Sequence, residues 1–158
     1  MVTSLERVVD ALSFRESDRV PAGPLVCGAS RRVYGITYDR WSRKADLAAR
    51  CMLDAQKLIG FDGWLTLVDL SVECSAWGQA VEYPIESTAI TKALKGEPLI
   101  KTVEDYEKLE YVDPRKAERM SHVIKLDEIL ARERGKEVGL MGFVYGPAGT
   151  LSMMRTLE

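Results

Sequence analysis

The run Trp64-Leu65-Thr66-Leu67-Val68-Asp69 is apolar at almost every position and ends on an acid. A strand with one wet face alternates apolar and polar residues. A run without alternation expects cover on both faces, the habit of strands in parallel sheets. Parallel neighbours need a crossover between them, normally a helix, and the flanking sequence supplies helices on both sides. From Lys44 to Ile59, the residues Leu47, Cys51, Met52, Ala55, Leu58 and Ile59 fall on one helical face, and Gly60 provides a stop. Asp113-Pro114 pairs a cap residue with proline at the first helical position, and predicts a helix to about Arg134, ended by Gly135. Val138 to Val144 reads as a further strand. Pro24 to Cys27 reads as an earlier one, although Pro21 and Pro24 sit awkwardly in a central strand.

The rest of the chain fits between these elements. Thr3-Ser4-Leu5-Glu6 has the form of a capping box ahead of a helix carrying Leu5, Val8, Val9 and Leu12 on one face. Gly28 to Ser42 reads as an irregular loop, 72–78 as a short helix and Gln79 to Tyr83 as extended. Residues 102–107 read as a capped short helix, and Gly146 to Thr150 as a turn into a last helix at Leu151 to Leu157. Helices and strands in alternation predict an α/β fold of parallel βα units. The 158 residues are 46% apolar, which suits one domain with a core. Three strands are nevertheless few for a sheet covered on both faces, and the predicted elements stop within a helix, so a truncated fold is expected.

Charge and cysteine content narrow the function classes. With 22 basic and 24 acidic side chains there is no basic field, so neither nucleic acid nor an anionic membrane is an expected partner. No apolar run reaches the roughly 18 residues of a membrane span, and the opening MVTSLERVVDAL is charged where a secretion signal is apolar. Cys27, Cys51 and Cys74 lie far apart with no C-x-x-C, against a disulfide framework or a zinc knuckle. A soluble, cytoplasmic protein is expected.

Ligands of such folds meet the carboxyl ends of the strands. Loops 27–42, 69–78 and 145–150 qualify, with Cys27, Arg31, Arg32, Tyr34, Asp69, Glu73, Cys74, Tyr145 and Thr150. Asp69 is the sharpest candidate: a strand-end acid accepts from ligand N–H groups or positions a proton, though it also serves to cap a following helix. Glu73, four residues on, either pairs with it or sits in solvent. Arg31 and Arg32 suit a bidentate grip on carboxylates, or are surface residues. Cys27 and Cys74 could meet at the strand ends, but two cysteines are short of the three protein ligands of a catalytic zinc. His122 falls mid-helix and reads as structural. Gly146 to Thr150 could cradle an anion, yet it lacks the spacings of nucleotide loops.

Several segments, in order, carry a resemblance. They are Asp18-Arg19-Val20-Pro21 after the opening helix, Phe61-Asp62-Gly63 leading to Val68-Asp69-Leu70, Ala76-Trp77-Gly78-Gln79-Ala80-Val81-Glu82, and Gly142-Phe143 with Gly146-Pro147 and Thr150-Leu151. Together they resemble the uroporphyrinogen decarboxylase superfamily. The resemblance implies the amino-terminal half of a (β/α)8 barrel, about three βα units of a fold that takes about 250 residues.

Two branches of that superfamily are relevant. In the decarboxylases, which remove acetate carboxyl groups from a tetrapyrrole without a cofactor, the residue matching Asp69 binds pyrrole N–H groups, and arginines of an R-Q-A-G-R-Y loop hold the acid side chains. Here Cys27-Gly28-Ala29-Ser30-Arg31-Arg32-Val33-Tyr34-Gly35 takes that loop's place. In the corrinoid-linked methyltransferases, to which Val72-Glu73 with Ala76 and Gly78 is closer, a zinc ion held by the carboxyl-terminal half activates a thiol acceptor. The turn at Pro147-Ala148-Gly149-Thr150 is one residue longer than the usual form. The resemblance therefore implies part of a methyltransferase acting on a methylcorrinoid, inactive alone, with a corrinoid protein and a second half-barrel as partners. Asp69 and Glu73 are its expected catalytic residues. Arg31, Arg32, Tyr34, Cys27, Tyr145 and Thr150 are its expected substrate contacts, with no metal ligand in this chain. The alternatives are half of a tetrapyrrole decarboxylase, or a non-catalytic half-barrel that forms a homodimer or docks on a partner.

Overall fold

In the computed structural model, which describes residues 2–155, the elements in order are α1 (Ser4–Leu12), a 3-10 helix (Cys27–Tyr34), α2 (Tyr38–Ser42), α3 (Ala45–Ile59), β1 (Gly63–Leu65), α4 (Val72–Ala76), β2 (Val81–Glu82), β3 (Ile90–Thr91), a second 3-10 helix (Lys92–Lys95), α5 (Val103–Glu107), α6 (Glu118–Arg134), β4 (Gly139–Met141) and α7 (Pro147–Ser152). Strands β1 and β4 pair in parallel, with Trp64 opposite Leu140 and Leu65 opposite Met141. The connection between them carries α6, the crossover that a parallel pair demands. Successive strand residues point to opposite faces. Trp64 and Leu140 therefore face α3 and α6, where Trp64, Met52, Leu126 and Leu130 form the main core and the Trp64 indole donates to the Met52 carbonyl at 3.2 Å. Leu65 and Met141 face the other way, and Met141 is 59% exposed. Among the described residues no helix is long and apolar enough to cross a membrane.

The strands are shorter than their apolar runs predict. Beyond Leu65, pairing continues only as the Thr66 amide donating to the Met141 carbonyl at 3.1 Å, and the backbone is irregular through Asp69. The expected strand at Pro24 to Cys27 does not form. Proline offers no amide to a ladder, and the Val26 amide turns back onto the Pro24 carbonyl at 2.8 Å. The expected loop from Gly28 to Ser42 is instead a 3-10 helix followed by α2, packed on α3 around the buried Trp41. Gly28 lets Tyr38 approach: a Cβ there would lie 2.3 Å from the tyrosine ring.

Helix α3 matches its predicted span but not its whole buried stripe. Ala45, Ala48, Ala49, Cys51, Met52 and Ala55 are buried, whereas Leu58 and Ile59 are 78% and 60% exposed, with nothing among the described residues to cover the last turn. Helix α6 starts at Glu118, not beside Pro114. Asp113 closes a separate turn, its carboxylate accepting from the Arg115 amide and its carbonyl from the amides of Lys116 and Ala117. Strand β3, absent from the expected elements, pairs antiparallel with β2. Helix α7 starts at Pro147, four residues before the predicted Leu151, and 156–157 of the predicted last helix lie outside the described residues.

The amino-terminal end of the sheet is locked by one acid. Asp62 is fully buried and accepts from Arg19 at 2.6 and 2.8 Å, from Arg7 at 3.2 Å and from the Ala22 amide at 2.8 Å. Burial opposes its charge, but these donors outweigh it and hold the carboxyl down at about 2. The lock joins α1, itself closed by the Thr3–Glu6 capping box, to the start of β1.

Candidate functional site

Asp69 ends the irregular stretch after β1, and its carboxylate is turned inward. Oδ1 accepts from Arg119 Nη1 at 3.0 Å and Oδ2 from Arg119 Nη2 at 2.5 Å, while Oδ1 also takes the Ser71 amide at 2.9 Å. The side chains of Asp69 and Arg119 are 0% and 8% exposed. Burial works against the Arg119 charge, but the bonds to Asp69 prevail and raise its pKa. The Tyr83 ring lies 5.2 Å from the guanidinium. The sequence reading missed Arg119. Its available signal is its position: it is the second residue of α6, where the helix dipole disfavours a cation unless an acid from elsewhere meets it.

Glu73, in the first turn of α4, ties two loops together. Its Oε1 accepts from the Tyr145 amide at 2.8 Å, bridging the loop after β1 to the loop after β4. The Tyr145 ring stacks with Phe143 and lies over Gly149, where a Cβ would come within 2.6 Å of it. Buried Thr150 donates its hydroxyl to the Tyr145 carbonyl at 3.1 Å. Asp69, Glu73, Tyr145 and Thr150 thus gather at the carboxyl ends of the parallel strands.

The other expected residues lie apart from this group. Arg31 is buried and satisfied: it donates to the carbonyls of Ile36 at 2.9 Å and Glu86 at 3.2 Å, and to the Glu86 carboxylate at 3.0 Å. Arg32 is exposed. Tyr34 is exposed too, its hydroxyl bonded to Asp54 and its ring beneath Arg50, on the flank of α3. Cys27 donates its thiol to the Leu65 carbonyl at 3.4 Å, and Cys74 to the Ser71 carbonyl at 3.4 Å. Burial pushes both thiols up, Cys74 to about 12. His122 is half-buried on α6. Among the described residues no three His, Cys, Asp or Glu side chains are grouped so as to hold a metal ion. The described residues do not fit a zinc site.

Two hollows flank the gathered residues. A cavity of about 230 Å³ lies between α6 and the strand ends, bounded by Val68, Asp69, Glu73, Val123, Asp127 and Phe143 among others. An open cleft of about 760 Å³ runs beside it, with Trp77, Tyr106, Tyr111 and Tyr145 in its walls. Chemically the rim offers fixed carboxylates and aromatic faces rather than free cations.

Helices on one face of a parallel pair, with acid-bearing loops at the carboxyl ends, make up part of a (β/α)8 barrel. Among solved structures, a methyltransferase from Methanosarcina mazei superposes with a TM-score of 0.72 at 18% identity, over 99% of this chain and 46% of that one. The chain therefore spans less than half the length of that protein. No curated protein matches it. The family model described as uroporphyrinogen decarboxylase matches residues 3–157. That match runs from the first helix cap through both strand-end loops, and with it this chain belongs to the uroporphyrinogen decarboxylase family.

Proposed function

We propose that the chain is the amino-terminal part of a methyl-transferring barrel that handles a methylcorrinoid. The observation that carries this reading is the charge at the strand ends. A tetrapyrrole rich in carboxylates needs free guanidinium groups to hold it, yet Arg31 is bonded inside the fold and Arg119 is paired with Asp69. The residues left facing the cavity are acids, Glu73 and Asp127, which would repel such a ligand. A corrinoid, whose peripheral side chains are mostly neutral amides, meets no such repulsion. The likeness to a methyltransferase supports the same choice.

In this reading Arg119 fixes the orientation of Asp69, while Glu73 holds the loop of Tyr145 in place at the rim. Zinc and the thiol acceptor belong to the part of the barrel that this chain does not supply, so the chain alone is expected to transfer no methyl group. Equilibrium dialysis against methylcobalamin and uroporphyrin tests the choice. Retention of methylcobalamin but not uroporphyrin is expected. Preferential retention of uroporphyrin, or of neither, overturns it. Loss of the methyl–cobalt absorbance when the chain alone is given methylcobalamin and a thiol would overturn the inactivity.

A second reading, a non-catalytic half-barrel that self-associates, rests on the end of β4 and the loop after it, where Met141 and Val144 are 59% and 79% exposed. Bare apolar strands invite association. A monodisperse monomer by light scattering would remove that reading.

A further inference from the structure

The flank formed by α2, α3 and α6 carries charge of one sign. An open hollow of about 490 Å³ there is walled by Arg40 of α2, Arg43 and Lys44 at the junction with α3, Arg50 of α3 and Lys125 of α6. Asp46 is the one acid among the described residues that line it. All five cations are exposed. Asp46 is already taken, by Lys125 at 2.6 Å, and among the described residues no ion pair joins Arg40, Arg43, Lys44 or Arg50 to an acid. The next hollow along α3 and α6 mixes three bases with three acids, the interspersed pattern of an ordinary surface.

Local structure gives no reason for this concentration. Lys44 is the N-cap of α3, where a side-chain acceptor is favoured, and it makes no capping bond. The helix dipole disfavours a cation there as well. Two of the arginines are nevertheless ordered in advance. Arg43 lies 5.0 Å from the centre of the Tyr83 ring, and Arg50 lies 4.6 Å from that of Tyr34 while donating to its hydroxyl at 3.1 Å. Side chains held in place beforehand lose less entropy when a partner arrives. Crowded cations repel one another in the free protein, and a hollow lined by one sign of charge draws the opposite sign to it.

Sign and extent select the partner. The chain carries 24 acidic against 22 basic side chains, so with five bases gathered here the remaining surface is the more acidic. An extended polyanion, nucleic acid or membrane, would overrun the hollow and meet that acidic remainder. A compact inorganic anion calls for donors converging from fixed positions, whereas these five are exposed around an open hollow. A cluster of carboxylates on a protein surface matches both the sign and the area. We infer that the hollow between α2, α3 and α6 is a docking surface for a partner protein that presents clustered Asp and Glu side chains. It stands apart from the strand ends: on α6, Met120, Val123 and Asp127 line the cavity there, whereas His122 and Lys125 line this hollow. The docking surface goes beyond the methyl-transfer reading and does not rest on it.

Fluorescence anisotropy with a labelled oligoglutamate peptide tests the inference, beside a labelled oligoglutamine. The competitors are unlabelled oligoglutamate, a short single-stranded DNA, phosphatidylserine vesicles and sodium phosphate, at matched ionic strength. Saturable binding of oligoglutamate and none of oligoglutamine is expected, weakening about tenfold from low to physiological salt as exposed charges are screened. The double variant Arg40→Gln with Lys44→Gln should bind about tenfold more weakly. A charge-matched control, Arg115→Gln with Lys116→Gln at exposed positions outside the hollow, should bind as the parent does. Exposed substitutions of this kind seldom disturb folding. If the first variant does not melt cooperatively, Arg43→Gln is measured instead, with a loss of about threefold expected. Equal weakening in the control would reduce the effect to net charge. Stronger competition by DNA or vesicles than by oligoglutamate would assign the surface to another polyanion, and equal competition by phosphate would mean a small-anion site only. Any of these results, no binding of oligoglutamate, or unchanged affinity in the hollow's variants overturns the proposal. None of the altered residues lines the two hollows at the strand ends, so this docking and corrinoid retention fail separately.

Discussion

Replacing Arg119 by methionine keeps much of the stem's packing but leaves the Asp69 carboxylate, 0% exposed, without its guanidinium. Two hydrogen bonds to a charged group are lost, at 3.0 and 2.5 Å, each contributing about 1.5–3 kcal/mol. The stacked Tyr83 ring adds about 1 kcal/mol. The Ser71 amide still holds Oδ1, so the expected loss lies at the low end of these terms, about 4–5 kcal/mol, in line with the usual cost of orphaning a buried charge. That is a large share of the roughly 5–15 kcal/mol that keeps a domain folded. The double variant Asp69→Leu with Arg119→Met removes the buried charge altogether and should lose no more than about 1 kcal/mol. Urea unfolding followed by far-ultraviolet circular dichroism measures all four corners of the cycle. A coupling of at least about 2 kcal/mol is expected. Additive losses, or a single variant within about 0.5 kcal/mol of the parent, would refute the view of Asp69 as a charge held by Arg119.

Further outcomes follow from other contacts. Because the Asp62 pKa is depressed from 3.8 to about 2, the stability it contributes, about 2 kcal/mol, is present above the unfolded value and lost as pH falls from about 4 through 2. Asp62→Asn should flatten that acid limb of a stability–pH curve, and an unchanged limb would place the acid sensitivity elsewhere. Gly149→Ala puts a methyl 2.6 Å from the Tyr145 ring. It should cost about 1–3 kcal/mol by forcing the ring aside, visible as a lowered melting midpoint. Cys74, its thiol pushed up to about 12, should resist a thiol-labelling reagent in the folded protein at mildly alkaline pH, while the half-buried Cys27 reacts before it. Mass spectrometry of the labelled peptides decides the order.

The features legible in the sequence are those that depend on local pattern. The capping box at Thr3, the span of α3 with its stop at Gly60, the capped helix after Thr102 and the parallel character of the run at Trp64 all follow from side chains within a few residues of one another. So does the family, through short ordered segments. Tertiary structure decided whatever depends on a distant partner. Strand length is one case, because a ladder lasts only while a neighbour presents matching amides, and Pro21 and Pro24 deny β1 that neighbour. Exposure of Leu58 and Ile59 is another, since a helical stripe is buried only where something lies against it. The candidate site is the clearest. Its residues at 69, 73, 145 and 150 were legible as strand-end positions, but the state of each was not. Asp69 is paired by an arginine 50 positions away, Arg31 is turned inward onto Glu86, and Asp127 lines the cavity behind the strand ends. Electrostatic partnership across the fold, as between Asp69 and Arg119, is set by distances in space, and sequence separation carries almost no information about them.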